Sequence, residues 1–157
     1  MSEIGGYFGL ELTKGKEFHE MAIHLNTGRN CLEYVLIVRK YKKVFLPGYV
    51  CNSIIEPIRK LGIALEFYSL DSKLEPILER LPGDDEAVLY INYFGLKDEA
   101  IKGMCNTHRN AIVDNSQAFF CNPIESVDTF YSARKYFGVA DGGYLYTELP
   151  IKDYRLE

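Results

Sequence analysis

The sequence predicts an α/β fold built on a mostly parallel sheet flanked by helices. Three observations carry that prediction. From about residue 25 onward, segments of helical periodicity alternate with short strand-like segments. The connections between them are short, as in βαβ units. Several strand segments are apolar at almost every position, which suits a sheet covered on both faces. The right-handed crossover rule then favours parallel strands with helices on both sides. A chain of 157 residues suits one domain with a substantial core.

The elements follow in order. Residues 29–40 read as a helix, with Leu32, Val35, Leu36 and Arg39 at helical spacing behind Gly28. A short strand, 44–46, stops at Pro47-Gly48. A second helix is expected within 53–61, capped by Ser53 and ended by Gly62, with Pro57 shifting its start toward Glu56. Residues 63–69 read as a strand. Leu74, Ile77, Leu78 and Leu81 form an amphipathic stripe that predicts a helix over 73–81. A buried strand at 87–94, a helix at 97–106 and a strand at 110–114 come next. Further strands are expected near 127–131 and 143–147, separated by a segment that ends in a Gly-rich turn at 138–143. The final LPIKDYRLE reads as the start of a further connection.

Composition excludes several classes. Apolar residues make up 47% and charged residues 25%, ordinary for a globular domain. The formal charge of −4 and the lack of a dominant basic block argue against nucleic-acid binding. Arg39, Lys40, Lys42 and Lys43 sit at a helix end, where cations suit the dipole. The start, MSEIGGYFGLEL, lacks the layout of a signal peptide, and no apolar run is long enough to span a membrane. Cys31, Cys51, Cys105 and Cys121 are unevenly spaced with no C-x-x-C pair, which reads as free thiols and a cytoplasmic setting. Twelve tyrosines and nine phenylalanines suit a strand-rich core and an aromatic-walled cavity. His19 and His24 are one residue too far apart for a helical zinc pair, and no metal site is expected. His19, His24 and His108 read as surface or partly buried polar groups.

In an open parallel sheet, ligands bind beyond the C-terminal ends of the strands. Four places stand there. Asn26-Thr27-Gly28-Arg29 opens a helix, so its backbone N–H groups suit an anion; Thr27 as a plain helix cap is the other reading. It is neither a Walker loop nor a G-x-G-x-x-G turn. Pro47 to Ser53 either places Tyr49 and Cys51 on a pocket wall or is a simple connector. Asp114-Asn115-Ser116-Gln117 follows an apolar strand, where Asp114 suits a cofactor contact or a local backbone cap. Lys135 follows a strand and precedes a glycine turn. Its neighbours Phe130, Tyr131, Tyr136 and Phe137 suggest an enclosed setting that favours a neutral, nucleophilic amine; a solvated lysine is the alternative. No nucleophile elbow is present.

In this order and spacing, residues 5–147 resemble the DegT/DnrJ/EryC1/StrS sugar aminotransferases, fold-type I enzymes that use pyridoxal 5'-phosphate. The resemblance implies a PLP-dependent transferase acting on a keto-sugar nucleotide, with glutamate as the usual amino donor. It implies that Thr27, Gly28 and Arg29 bind the cofactor phosphate, Arg29 chiefly through its backbone. Cys51 falls nearest the place from which an aromatic ring often stacks on the cofactor, with Tyr49 as an alternative source of the stack. Tyr93, Phe94 and Gly95 resemble the loop after the third crossover strand. Asp114 matches the aspartate that pairs with the pyridine nitrogen. Ser116 would pack beside the ring, and Gln117 would reach its phenolic oxygen. Lys135 matches the Schiff-base lysine, and Gly142-Gly143 the glycine pair after it.

There are two departures. Many members have a phosphate-binding serine five residues before the lysine; here that place is Phe130, and Ser132 is the substitute. Members are also more than twice as long. The resemblance therefore implies that residues 1–157 form the N-terminal part of the cofactor-binding large domain, with the small C-terminal domain absent. It also implies a homodimer and a role in polysaccharide biosynthesis. The alternative is a truncated or noncatalytic protein that keeps the fold without turnover.

Overall fold

The computed structural model describes residues 15–149. Residues 1–14, which include MSEIGGYFGLEL, and residues 150–157 of the final LPIKDYRLE lie outside them, as does the resemblance over residues 5–14. Eight strands form one mixed sheet flanked by helices, in the order β1-β8-β7-β6-β5-β2-β3-β4. The strands are β1 (Ile23–Leu25), β2 (Lys43–Pro47), β3 (Ala64–Leu70), β4 (Pro76–Ile77), β5 (Glu86–Ile91), β6 (Ala111–Asp114), β7 (Asp128–Ser132) and β8 (Gly143–Tyr146). The helices are α1 (Gly28–Arg39), α2 (Asn52–Lys60) and α3 (Asp98–Cys105).

β7, β6, β5, β2 and β3 are parallel neighbours. β8 lies antiparallel between β7 and β1, so β1 runs with the parallel set. β4 folds back antiparallel on β3. The sequence reading missed the two shortest strands, β1 and β4, whose lengths are too small to show a period.

The sheet is buried on both faces because its strands carry apolar side chains in both phases of the pleat. Val44, Leu46, Ala87, Leu89 and Ile112 pack with Leu32, Val35 and Leu36 of α1 and Ile54 and Ile58 of α2. Phe45, Val88, Tyr90, Ala111 and Val113 pack on the other side with Ile101 of α3. A third cluster, Phe119, Tyr131 and Ala133, lies beside His19. His19 is 1% exposed, which corrects the reading of this residue as a surface or partly buried group. Its Nε2 donates to the Phe119 carbonyl at 2.7 Å, and the Tyr146 hydroxyl donates to its Nδ1 at 3.1 Å.

The helix expected over 73–81 is absent. Asp71 Oδ1 accepts the N–H groups of Lys73 and Glu75, at 2.8 and 2.9 Å, closing a local turn. Leu74 adopts φ 61°, and Pro76 has no N–H to continue a helical ladder. The chain reverses onto β3 instead, with Ser69 opposite Ile77. α2 also begins earlier than expected, at Asn52, and carries Pro57 buried within it. Its N-cap is Cys51 rather than Ser53, without a side-chain cap bond. Gly62 ends the helix as expected, at φ 66°.

Candidate functional site

β2 connects to neighbours on opposite sides: the chain passes from β2 to β3, then crosses back to β5. That reversal opens a crevice at the C-terminal ends of the strands. An open cleft of about 860 Å3 occupies this edge. Thr27, Gly28, Arg29, Cys51, Asp114, Ser116, Gln117, Ser132 and Lys135 all line it. The loops that bring them there follow β1, β2, β6 and β7, which point the same way.

Thr27 caps α1. Its Oγ1 accepts the Asn30 N–H at 3.4 Å and donates to Asn30 Oδ1 at 2.7 Å, so the hydroxyl proton is committed locally. The helix-opening N–H groups beyond it face the cleft region with the positive end of the dipole. Gly28 is buried between Phe130 and Ser116. Arg29 directs its guanidinium to Glu56 at 2.9 Å, which leaves its backbone as the part of the residue nearest the helix start. Gly143 holds this corner together: a Cβ there would lie 2.5 Å from the Thr27 carbonyl carbon, so no larger residue fits without displacement. The Gly142 N–H donates to the Asn26 carbonyl at 2.7 Å, and Gly142 sits at φ 117°.

Asp114 ends a fully buried strand and is 6% exposed. Burial pushes its carboxyl above the usual range; the Ser116 hydroxyl and N–H and the charge of Lys135 oppose that shift. The Ser116 N–H donates to Asp114 Oδ1 at 2.8 Å. A buried carboxylate in this setting favours a cationic partner in the cleft.

Gln117 Oε1 accepts the Phe94 N–H at 3.2 Å. Cys51 is exposed at the start of α2, and a hydrogen bond from Ser53 is the main cause holding its thiol below the ordinary range. The Ser53 hydroxyl donates to Cys51 Sγ at 3.2 Å. Tyr49 stacks on Tyr93 at 5.7 Å, and both rings line the same wall. Ser132 is half-buried, while Phe130 is fully buried.

Lys135 is exposed, as the solvated alternative has it and not as its aromatic neighbours suggested. Three of the four aromatic neighbours that suggested enclosure turn away. Phe137 packs on Phe119 at 5.1 Å and Tyr136 on Phe120 at 5.6 Å. Tyr131 is buried in the core, while the buried Phe130 also lines the cleft.

Sequence reasoning did not single out Asn30, Asn92 or Arg134. Asn30 had a signal, since T-x-x-N has the spacing of a capping box with Asn in place of Glu or Gln. Arg134 also lines the cleft. Asn92 is fully buried and bonds to Asn115, 23 residues away, a pairing that no local pattern encodes.

Among the described residues no helix is long and apolar enough to cross a membrane. All four cysteines are free thiols.

No protein-family model matches the sequence. No curated protein matches it either. Solved structures do share its fold. An aminotransferase from Psychrobacter cryohalolentis aligns with a TM-score of 0.64 and 16% identity, over 80% of this chain and 37% of its own. DesI, solved in the presence of its TDP-sugar product, aligns at 0.66 and 15%, over 83% and 40%. The sugar aminotransferase CalS13 from Micromonospora echinospora aligns at 0.61 and 14%, over 82% and 42%. At such identities the likeness establishes the fold. The chain spans about two-fifths of the length of these structures.

Proposed function

We propose that this chain is the N-terminal part of the cofactor-binding domain of a PLP-dependent sugar aminotransferase of the DegT/DnrJ/EryC1/StrS type. The observation that carries the reading is the convergence of Lys135, Asp114 and the Thr27-Gly28 helix start on one cleft. The aminotransferase folds of the solved structures support it.

The residues fit pyridoxal 5'-phosphate. The buried Asp114, which feels the charge of Lys135, would suit a protonated pyridine nitrogen. The start of α1, with Thr27, Gly28 and the Arg29 backbone, suits the phosphate, and Ser132 adds a hydroxyl on the same cleft. Gln117 would supply donors to a phenolic oxygen. Ser116 would pack beside the ring, and Cys51 or Tyr49 would provide the opposite wall. When bound, the group supplies an electron sink conjugated to an amine. Lys135 would anchor the group through Nζ and would hold and move a proton at that nitrogen. Asp114 would keep the ring nitrogen protonated.

The proposed substrates of the whole enzyme are a keto-sugar nucleotide and an amino donor, with glutamate as donor. A homodimer, a cytoplasmic location and a place in polysaccharide biosynthesis belong to the same proposal. A second reading, the fold retained without turnover, is favoured by the exposure of Lys135 in an open cleft. Water must be kept from carbanion chemistry, and this cleft alone does not enclose it.

Titration with pyridoxal 5'-phosphate tests the proposal. After unbound cofactor is removed by desalting, the wild type is expected to stay yellow and Lys135→Ala to be colourless. L-Glutamate then bleaches the band if the chain transaminates. A band that glutamate leaves unchanged favours the second reading, and no band in a folded wild type contradicts the cofactor reading and leaves the second.

A further inference from the structure

The loop after β5 carries a set of contacts that the proposed chemistry does not use directly. Asn92 is 0% exposed and Asn115 is 1% exposed. Asn92 Nδ2 donates to Asn115 Oδ1 at 3.1 Å, while Asn92 Oδ1 accepts the Lys97 N–H at 2.9 Å. The Asn92 N–H donates to the Asp114 carbonyl at 3.0 Å, and the Gly95 N–H to the Asn92 carbonyl at 3.2 Å. The Asn115 N–H donates to the Phe130 carbonyl at 2.8 Å. The buried amide of Asn92 thus ties the β5 turn to the β6 turn, and Asn115 ties the latter to β7.

The turn so held is unusual in its backbone. Phe94 sits at φ 58° and Gly95 at φ 71°. A phenylalanine in the left-handed region is disfavoured because its Cβ crowds the backbone carbonyl. Its side chain is 64% exposed, so burial of the ring does not explain the conformation. The conformation aims the Phe94 N–H at Gln117 Oε1, 3.2 Å away. An N–H requires an acceptor, so this bond assigns the Gln117 oxygen to Phe94 and leaves its NH2 group as the free end.

We propose that Asn92 and Asn115 are positioning residues: their buried amide bridge holds the Asn92–Gly95 turn so that Gln117 presents donors, not an acceptor, beside Asp114. The ligand chemistry this selects is an anionic oxygen next to a cationic ring atom. The consequence for pyridoxal phosphate rests on the cofactor reading above; the clamp itself does not.

The test uses the full chain and Asn115→Ala, which removes the bridge but leaves the Asn92–Lys97 contact. Asn115→Ser, which keeps a small polar group without the reach of the amide, serves if the alanine variant fails to fold. Ile101→Val, in the core on the α3 side, controls for general loss of stability. Two readouts are taken. Amide hydrogen exchange without cofactor is expected to speed up about tenfold or more at Phe94 and Ser116 in the Asn115 variant, and not in Ile101→Val. With pyridoxal 5'-phosphate bound, the pH midpoint of its visible band is expected to move by about half a pH unit or more in the Asn115 variant alone. Wild-type exchange at Phe94 in a folded Asn115 variant overturns the proposal, as does an unmoved midpoint in a variant that loads cofactor. If the wild type binds no pyridoxal phosphate, the cofactor reading fails, and the exchange result alone still decides whether the clamp holds the turn.

Discussion

Asp114 shows how a residue can serve a ligand at the expense of the unliganded fold. Burial raises its carboxyl pKa above the unfolded value. A carboxyl raised in this way adds stability below the unfolded pKa, and that stability is lost as pH rises through the folded pKa. At neutral pH, above the unfolded pKa, Asp114 therefore costs the unliganded protein stability. Asp114→Asn is expected to unfold at a higher urea concentration than wild type at pH 7, and to lose the tight retention of pyridoxal phosphate. Urea titration with and without cofactor checks both. His19 has the opposite sign. Burial lowers its pKa from 6.5, and the bond to Phe119 only partly opposes that. Stability is full above the unfolded pKa and falls as pH drops toward the folded one. Unfolding free energies measured between about pH 7 and pH 5 are expected to decline less in His19→Gln than in wild type. The sequence made Thr27, Gly28, Asp114 and Lys135 visible because each chemistry follows from local position at a strand or helix end. The burial of His19 and the Asn92–Asn115 bridge were hidden because their partners lie far away in sequence.

Among the elements, α1 does most to place the cleft, because its start carries Thr27-Gly28 and its end is anchored in the sheet. Arg39 grips Asp128 through Nε and an Nη group, at 2.8 and 2.9 Å, and Asp128 is 2% exposed. Removing the cation leaves a buried carboxylate at the start of β7, the strand that leads to Lys135. Arg39→Ala is expected to cost about 3 kcal/mol in urea unfolding, the lower end for a broken buried pair since Arg39 is partly solvated. A loss below about 1 kcal/mol would place the pair with surface ion pairs instead. The helical periodicity of 29–40 was readable because it is long and flanked by a cap. The stripe over 73–81 misled because side-chain spacing says nothing of where backbone N–H groups go. Asp71 and Pro76 decide that, and they close a turn. Pro57 was given too much weight in α2: one missing N–H did not prevent the helix from starting at Asn52.

At the level of the whole molecule, the parallel core follows from strands that are apolar on both faces, and this was legible without any partner. The same topology gathers loops from distant parts of the sequence at one sheet edge. What the periodicity could not reveal was how open that edge is in this chain. Enclosure depends on contacts between surfaces, and the chain spans about two-fifths of the solved structures that share its fold. The account therefore predicts a competent cofactor lysine in a cleft that is poorly shielded from water. Borohydride reduction after incubation with pyridoxal 5'-phosphate, followed by peptide mass spectrometry, tests this most directly. The account predicts one stable pyridoxyl adduct, on Lys135, absent from Lys135→Ala. An adduct spread over other lysines, or none on a folded chain, would contradict it.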